Sequence, residues 1–430
     1  MGDLGLNLKF RCRVDTGEEG DRFVGIKADS NGTLVYFPMG YRLPEDEQEL
    51  QREVLQLISV LQEFMQKKDK VLHMPKNDAP QSVDFPINAY MNIIRDYRKR
   101  KGYYKEKERV RKTSDHGRID WAASLKKNVA YYQEDGSPFF DKYTVVDMRP
   151  NEREWITKIH KYCVYESYQK LGCFFTPDIP QNPHISLDTR MFLAILDGKL
   201  KNTNNSDEKL LFQSMIAMLK YKDEETKDKQ FFFGTDRFEY VWENLIDTVF
   251  GIKNKEDYFP RTYWNLRQGN NKRNSALEPD TIMTCSDHVY VLDAKYYRYG
   301  ITGKTKHLPN SSSINKQITY AEYIKGNEDL KKIHGEDFPI YNAFLMPFNM
   351  EENDFSINVP FGNIGEAIST WKHDKFDYER VQGIVVDIHY LMHKYYGSHK
   401  KITEEMAELI DLAITENRTM FEKGETDSGD

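Results

Sequence analysis

Two short stretches carry residue types that could do hydrolytic chemistry together: Glu278-Pro-Asp-Thr-Ile-Met283 and Val289-Tyr-Val-Leu-Asp-Ala-Lys295. A Pro-Asp precedes one apolar run and a second apolar run ends in Asp-x-Lys, the layout of a hairpin that carries Asp280, Asp293 and Lys295 to one rim. Asp293 and Lys295 are two apart, so on a strand both point to the same side. Two carboxylates beside an ammonium suit a hard cation, Mg2+ with Mn2+ as a substitute, and an attacking water. In such chemistry Asp280 and Asp293 hold the cation, the Ala294 carbonyl adds an oxygen, and Lys295 orients the water and offsets charge developing on a phosphate.

Several elements would have to position those groups. Phe231 to Phe250 reads as an amphipathic helix capped at Thr235 or Asp236 and ended by Gly251. Glu239 and Glu243, four apart, share one face of it, and Phe238, Val241, Trp242, Leu245 and Val249 form the packing side. Either glutamate could complete the cation site; as ordinary surface carboxylates they would pair with Arg237 instead. The loop from Arg261 to Arg273 is basic and aromatic, and its Arg261, Arg267, Lys272 and Arg273 suit a DNA backbone. A helix over Ile314–Ile324 presents Gln317, read as a buttress for the attacking water, a DNA contact or a plain surface amide. Strands over Ile340–Met346 and Val381–Val386 and a closing helix over Ile402–Glu416 complete an alternation that predicts an α/β nuclease core.

Composition limits the partners. At 430 residues, with 39% hydrophobic and 30% charged residues, the chain predicts two or three soluble globular domains. No window approaches a membrane span and the first residues do not resemble a signal peptide, so the expected location is the cytoplasm, away from any membrane. The four cysteines form no C-x-x-C pair, which argues against a disulfide framework or a zinc knuckle. A net charge of −7 confines nucleic-acid contact to local patches. Gly300-Ile-Thr-Gly-Lys-Thr305 lacks the spacing of a phosphate loop and no Walker motif occurs elsewhere, so nucleotide hydrolysis would belong to another chain. His389-x-x-x-His393 has the spacing of metal ligands on a helix but no zincin glutamate, and it follows the strand-like run Gly383–Ile388; it reads as core or surface histidines rather than a zinc site.

Toward the N-terminus, residues 5 to 40 alternate as short strands with an Asn31-Gly32 hairpin turn, followed by a helix from Pro44 with Leu50, Val54, Leu57, Ile58, Leu61 and Phe64 on one face. A loop punctuated by Pro75, Pro80 and Pro86 leads to a helix over Ile87–Tyr97 that runs into a basic segment. There Arg98, Arg100 and Lys101, interleaved with Tyr97, Tyr103 and Tyr104, either track phosphates while the rings stack on bases or form a solvated helix end. Gly117 predicts a turn before a short Ile119–Trp121 strand, and helices near 151–172, 187–199 and 207–222 predict a connecting layer. The serial division expected is an α+β N-terminal region over 1–108 that contacts DNA or a partner, a mainly helical connection over 109–225, a nuclease domain over 226–422 and a disordered tail over 423–430.

Taken together, Phe238-Glu-Tyr-Val-Trp-Glu243, Pro279-Asp280, Leu292-Asp-Ala-Lys-Tyr-Tyr297, Lys316-Gln317 with Tyr320, and Tyr341-Asn-Ala-Phe344 resemble the PD-(D/E)XK nucleases. Within them the chain resembles the LlaJI-type restriction endonucleases, which are similar to the nuclease subunit of McrBC systems. His116-Gly-Arg-Ile-Asp-Trp121 extends the likeness toward the middle; the first hundred residues add nothing to it. The resemblance implies a central mixed sheet flanked by helices and cleavage of double-stranded DNA. It makes Asp280 and Asp293 metal ligands and Lys295 the catalytic lysine, with Glu239 or Glu243 as the helix carboxylate, Glu239 being counted among the ligands. Related nucleases carry Gln and Tyr four apart where Gln317 and Tyr320 are three apart. The likeness also implies a McrB-like AAA+ GTPase partner and a cognate cytosine methyltransferase. A non-catalytic DNA-binding or motor-regulating subunit is the alternative.

Overall fold

The computed structural model describes residues 8–18, 22–29, 32–68, 86–151, 154–174, 180–224, 231–269, 272–372 and 376–427. Its contacts divide the chain into two units, one from Met1–Lys27, Thr33–Val83 and Phe232–Asp430, the other from Ala28–Gly32 and Asp84–Phe231. The N-terminal segment thus folds with the C-terminal half, which differs from the serial division the sequence suggests.

The first unit is built on a five-stranded mixed sheet ordered Thr281–Cys285, His288–Ala294, Ile340–Phe348, Arg380–Asp387, Phe361–Ile368. The outer pairs are antiparallel and the two inner pairs parallel. Central strands buried on both faces must be apolar throughout, and Val289–Leu292 and Ala343–Met346 are. The helix Ser311–Gly326 bridges the parallel strands His288–Ala294 and Ile340–Phe348 as a crossover must. Its Tyr320, Ala321 and Ile324 share one buried cluster with Ile282, Val289 and Val291. Tyr290 alternates to the opposite face, where its hydroxyl donates to Asp411 Oδ1 (2.9 Å) on the helix Lys400–Asp427. That helix runs past the expected end at Glu416 and takes in most of the segment read as a disordered tail; 428–430 lie outside the described residues.

Phe231–Thr235 is a strand rather than the first turns of a helix. It closes a second sheet of this unit, ordered Cys12–Val14, Gly32–Phe37, Val24–Asp29, Phe231–Thr235. Two glycines allow the last pair to touch: a Cβ on Gly25 would lie 2.1 Å from the Phe233 carbonyl oxygen, and one on Gly234 2.1 Å from that of Val24. The helix starts only at Phe238 and ends before Gly251. Its N-cap is Arg237, without a side-chain cap, and the expected cap Thr235 instead accepts from the Arg237 N–H (3.0 Å). The expected Asn31-Gly32 hairpin is present as neighbouring strands, and its residues 30–31 are outside the described set, as are Pro75 and Pro80.

In the second unit the helices Trp155–Leu171, Thr189–Asn202 and Ser206–Glu224 stand close to their expected places. A nine-residue antiparallel pair, Glu106–Ser114 with Tyr143–Asn151, was not anticipated, because its charged alternation resembles a solvated loop. The strand expected at Ile119–Trp121 is only Arg118–Ile119; Asp120 then caps the helix Trp121–Lys127 by accepting from the Ala123 N–H (3.1 Å). No helix among the described residues is long and apolar enough to cross a membrane.

Candidate active site

The hairpin assembles the site through its register. Thr281 pairs with Leu292 and Ile282 with Val291, so one step further along the ladder Asp280 falls opposite Asp293. The Ala294 N–H donates to Asp280 Oδ2 (2.9 Å) and fixes that carboxylate against the strand end. The turn expected at Cys285–His288 is tight, with Ser286 at φ +54°. Asp293 is 6% exposed, and Lys295 Nζ forms an ion pair with its Oδ2. The Lys295 N–H donates to the Leu345 carbonyl (2.9 Å), which ties the lysine to the sheet interior.

Two further groups hold this corner. Lys255 Nζ donates to Asp247 Oδ1 (2.6 Å) and to the Asp280 carbonyl (2.7 Å), clamping the Pro-Asp turn to the helix Phe238–Phe250. Trp242 Nε1 donates to the Leu345 carbonyl (3.2 Å), so the same helix is anchored at the residue that receives Lys295.

Electrostatics separate the two candidate glutamates. Burial, and then the charge of Asp293, push Glu243 up to about 7, with Lys295 and Lys316 pulling the other way. Burial, with Asp293 and Glu243 beside it, likewise raises Asp280 well above the carboxylate range. Two carboxyls raised in this way beside the Asp293 carboxylate mark a poorly neutralised corner, and an all-oxygen donor set of this kind fits a hard divalent cation. Burial alone would lower Lys295, but Asp293 and Asp280 outweigh it and lift the ammonium above its ordinary value. Glu239 lines a cavity of about 400 Å³ with Asp15, Tyr296, Arg298 and His307, and Asp280, Asp293, Glu243 and Lys295 are not among the lining residues. The structure therefore gathers Glu243 with the aspartates, while the expected ligand Glu239, on the same face one turn nearer the start of the helix, lines a different space.

Gln317 departs from its expected roles. It is 1% exposed and its Nε2 donates to the Val291 carbonyl (2.6 Å), so it is neither a surface amide nor a DNA contact. It fastens the helix Ser311–Gly326 to the strand His288–Ala294. Tyr320 acts alongside it, its hydroxyl donating to the Glu278 carbonyl (3.1 Å) just before the Pro-Asp turn. The residue that sequence reasoning missed is Lys316. Its Nζ lies over the Tyr320 ring (5.5 Å), and although burial works against it, Tyr320, Asp293 and Asp280 raise it above the ordinary lysine value. Only its place beside Gln317 could have drawn attention to it.

The predicted DNA contacts fall in two places. Arg261, Arg267, Lys272 and Arg273 are exposed on and beside a two-stranded ribbon, Arg261–Trp264 with Lys272–Ala276, where a loop was expected. Tyr263 and Trp264 stand 69% and 61% exposed on the same ribbon. In the second unit Arg98, Arg100 and Lys101 end the helix Ile87–Arg100, but the neighbouring rings are occupied: Tyr97 packs on Tyr103 (5.0 Å) and Tyr168 (5.8 Å), and Tyr104 packs on Phe212 (5.5 Å). Arg100 Nε donates to Asp96 (2.7 Å). In the structure this run forms an aromatic seam with a charged edge, Tyr97 and Tyr103 half-buried and Tyr104 buried.

The family model described as LlaJI restriction endonuclease matches residues 23–368. Among solved structures the chain is similar to a refined half-complex from a tetradecameric assembly of Thermococcus gammatolerans McrB AAA+ hexamers with bound McrC, with 13% identity and a TM-score of 0.31 over 90% of this chain and 82% of that chain. No curated protein sequence matches it.

Proposed function

The chain belongs to the LlaJI restriction endonuclease family, and from that premise we propose that it hydrolyses phosphodiester bonds of double-stranded DNA with Mg2+ at the Asp280–Asp293–Glu243–Lys295 corner of a PD-(D/E)XK core. The observation that carries the proposal is the gathering of Asp280, Asp293 and Glu243, the first and last raised by burial and by their neighbours' charge, around the Lys295 ammonium at the end of one hairpin. Asp280, Asp293 and Glu243 would hold the cation, and Mn2+ would substitute. The cation supplies Lewis-acid polarisation of the scissile phosphate and neutralises its charge.

The chain's own residues do the rest. Asp293 positions Lys295 through their ion pair. Because Lys295 stays protonated, it acts as a hydrogen-bond donor, orienting the attacking water and stabilising negative charge on the phosphate, rather than as a base. The water oxygen bonds to phosphorus and gives up its proton to bulk water, while the bond to the leaving sugar oxygen breaks and that oxygen takes a proton from bulk water. Lys316, exposed at the rim, is placed to meet an adjacent phosphate, and Gln317, Tyr320, Lys255 and Trp242 keep the hairpin and its helices in register.

The exposed ribbon Arg261–Ala276 supplies backbone contacts near this corner. Arg267→Ala with Arg273→Ala is expected to weaken DNA binding uniformly across sequences and to reduce the slope of log affinity against log salt by about one per arginine lost. Arg100→Ala, whose guanidinium is already engaged by Asp96, is expected to leave that slope unchanged; fluorescence anisotropy at several salt concentrations separates the two.

A McrB-like AAA+ GTPase would supply energy coupling, in keeping with the lack of a Walker motif in this sequence, and in host defence a cognate cytosine methyltransferase would protect resident DNA. The direct test is plasmid cleavage by the purified chain with Mg2+, Mn2+, Ca2+ or EDTA, alone and with a co-encoded AAA+ protein and GTP. Cleavage in Mg2+ and none in EDTA is expected; binding without cleavage under every condition points to a motor-regulating subunit and removes the enzymatic reading.

A further inference from the structure

The helix Glu47–Lys68 and the helix Ile388–Lys394 meet within the first unit through side chains 340 residues apart in sequence. His389 and His393, one helical turn apart, both aim Nε2 at Glu53 Oε2, at 3.3 and 2.9 Å. Each of the three residues offers one ligand atom, and those atoms all lie within 4.8 Å of one another. Among the described residues no other group of His, Cys, Asp or Glu is gathered so closely, the carboxylates of the hairpin corner included.

Several features of the cluster exceed what a chance surface contact needs. Glu53 is 7% exposed and receives a third hydrogen bond, from the Tyr41 hydroxyl. Burial works against its charge, yet the hydrogen bonds from His389, His393 and Tyr41 overcome it and hold the carboxyl well below the usual range. The imidazoles pack at 4.6 Å between ring centroids, and Tyr41 lies 5.1 Å from the His389 ring. Gln56 Nε2 donates to the Met392 carbonyl (2.6 Å), one turn further along the same helix, and so fixes the approach of the two helices independently of the cluster. His393 is 40% exposed at its side chain, which leaves a solvent-facing approach.

We propose that Glu53, His389 and His393 form a second metal site, for a transition-metal ion of the Zn2+ class, distinct from the oxygen-only corner at Asp280 and Asp293. Donors about 2.0–2.1 Å from a tetrahedral ion stand roughly 3.3 Å apart, close to the separations already present, so the ion enters with small side-chain shifts. Two imidazole nitrogens and one carboxylate oxygen are the donors such an ion prefers and Mg2+ does not. Binding displaces the protons that the Nε2 atoms share with Glu53 and leaves a fourth position for water or for Tyr41. The ion pins the helix Glu47–Lys68 to the short helix that follows the strand Arg380–Asp387.

The test uses the full chain stripped with chelator. Zn2+ is titrated in competition with a chromophoric chelator, in millimolar Mg2+, for wild type, Asp293→Asn and His389→Ala/His393→Ala, and Co2+ is added to each to read its visible absorption. One equivalent bound by wild type and by Asp293→Asn, a Co2+ spectrum of low coordination number, and affinity at least about 100-fold weaker in the histidine double variant are the expected results. Equal uptake by wild type and double variant, or loss in Asp293→Asn instead, overturns the proposal. If the double variant fails to fold, His393→Asn at the exposed ligand decides the question: at least about tenfold weaker binding supports the site and unchanged binding overturns it.

Discussion

Asp293→Asn and Lys295→Ala are each expected to lower Mg2+-dependent DNA cleavage by about 10²–10³-fold or more while DNA binding persists. The size follows from where the charges sit. Asp293 is buried and faces Asp280 across the hairpin ladder, and Lys295 is held by Asp293 on one side and by the Leu345 carbonyl on the other. Asparagine keeps the shape and one acceptor while removing the charge that a cation and Lys295 both require. Asp293→Ala would also remove cleavage but would take away the ion-pair partner of the half-buried Lys295 ammonium, so loss of activity there could reflect loss of fold. Plasmid cleavage measured beside circular dichroism and anisotropy separates the cases. Wild-type cleavage by a folded Lys295→Ala protein would sink the assignment.

Glu243→Gln should have a double signature. Cleavage falls by a comparable factor, whereas Glu239→Gln, at the separate cavity, stays within a few-fold of wild type. The stability of the cation-free protein moves the other way. A carboxyl raised to about 7 in the folded chain favours the neutral form. The stability present below its unfolded pKa of about 4.3 is therefore lost as pH rises toward 7, and remains lost above it. Glutamine removes that penalty, and Glu243→Gln is expected to be more stable than wild type by about 1–3 kcal/mol at pH 8 in EDTA and no more stable at pH 4. For wild type, cation binding must release the Glu243 proton, so the Mg2+ needed for half-maximal cleavage should fall as pH rises from 6 to 8. Denaturant melts and cleavage titrations at several pH values measure both effects. Reversed roles for the two glutamates would show that the helix presents its other carboxylate to the site.

Much of the candidate corner's geometry was legible because it is local. Hairpin spacing, the Pro-Asp, the Asp-x-Lys and the apolar strands lie within eighteen consecutive residues, 278 to 295, and a two-residue period dictates which side chains share a face. The same locality made most helices visible, since one amphipathic period repeats within each. It misled where charge masked pairing, as in Glu106–Ser114, and where a phenylalanine run beside a helix turned out to close a sheet, because Gly234 and the distant Gly25 together allow Phe231–Thr235 to approach.

What the sequence by itself determined was the set of groups that meet on one hairpin and the chemistry they can perform. Tertiary structure decided every relation between distant segments. It put Glu243 rather than Glu239 beside the aspartates, buried Gln317 against the Val291 carbonyl, brought Lys316 to the rim, and gave His389 and His393 the Glu53 that their own neighbourhood lacks. The physical reason is that backbone periodicity fixes the direction of a side chain only relative to its own element. Which face of that element meets which partner is set by the burial of apolar surface from the whole chain, and that sum has no local signature.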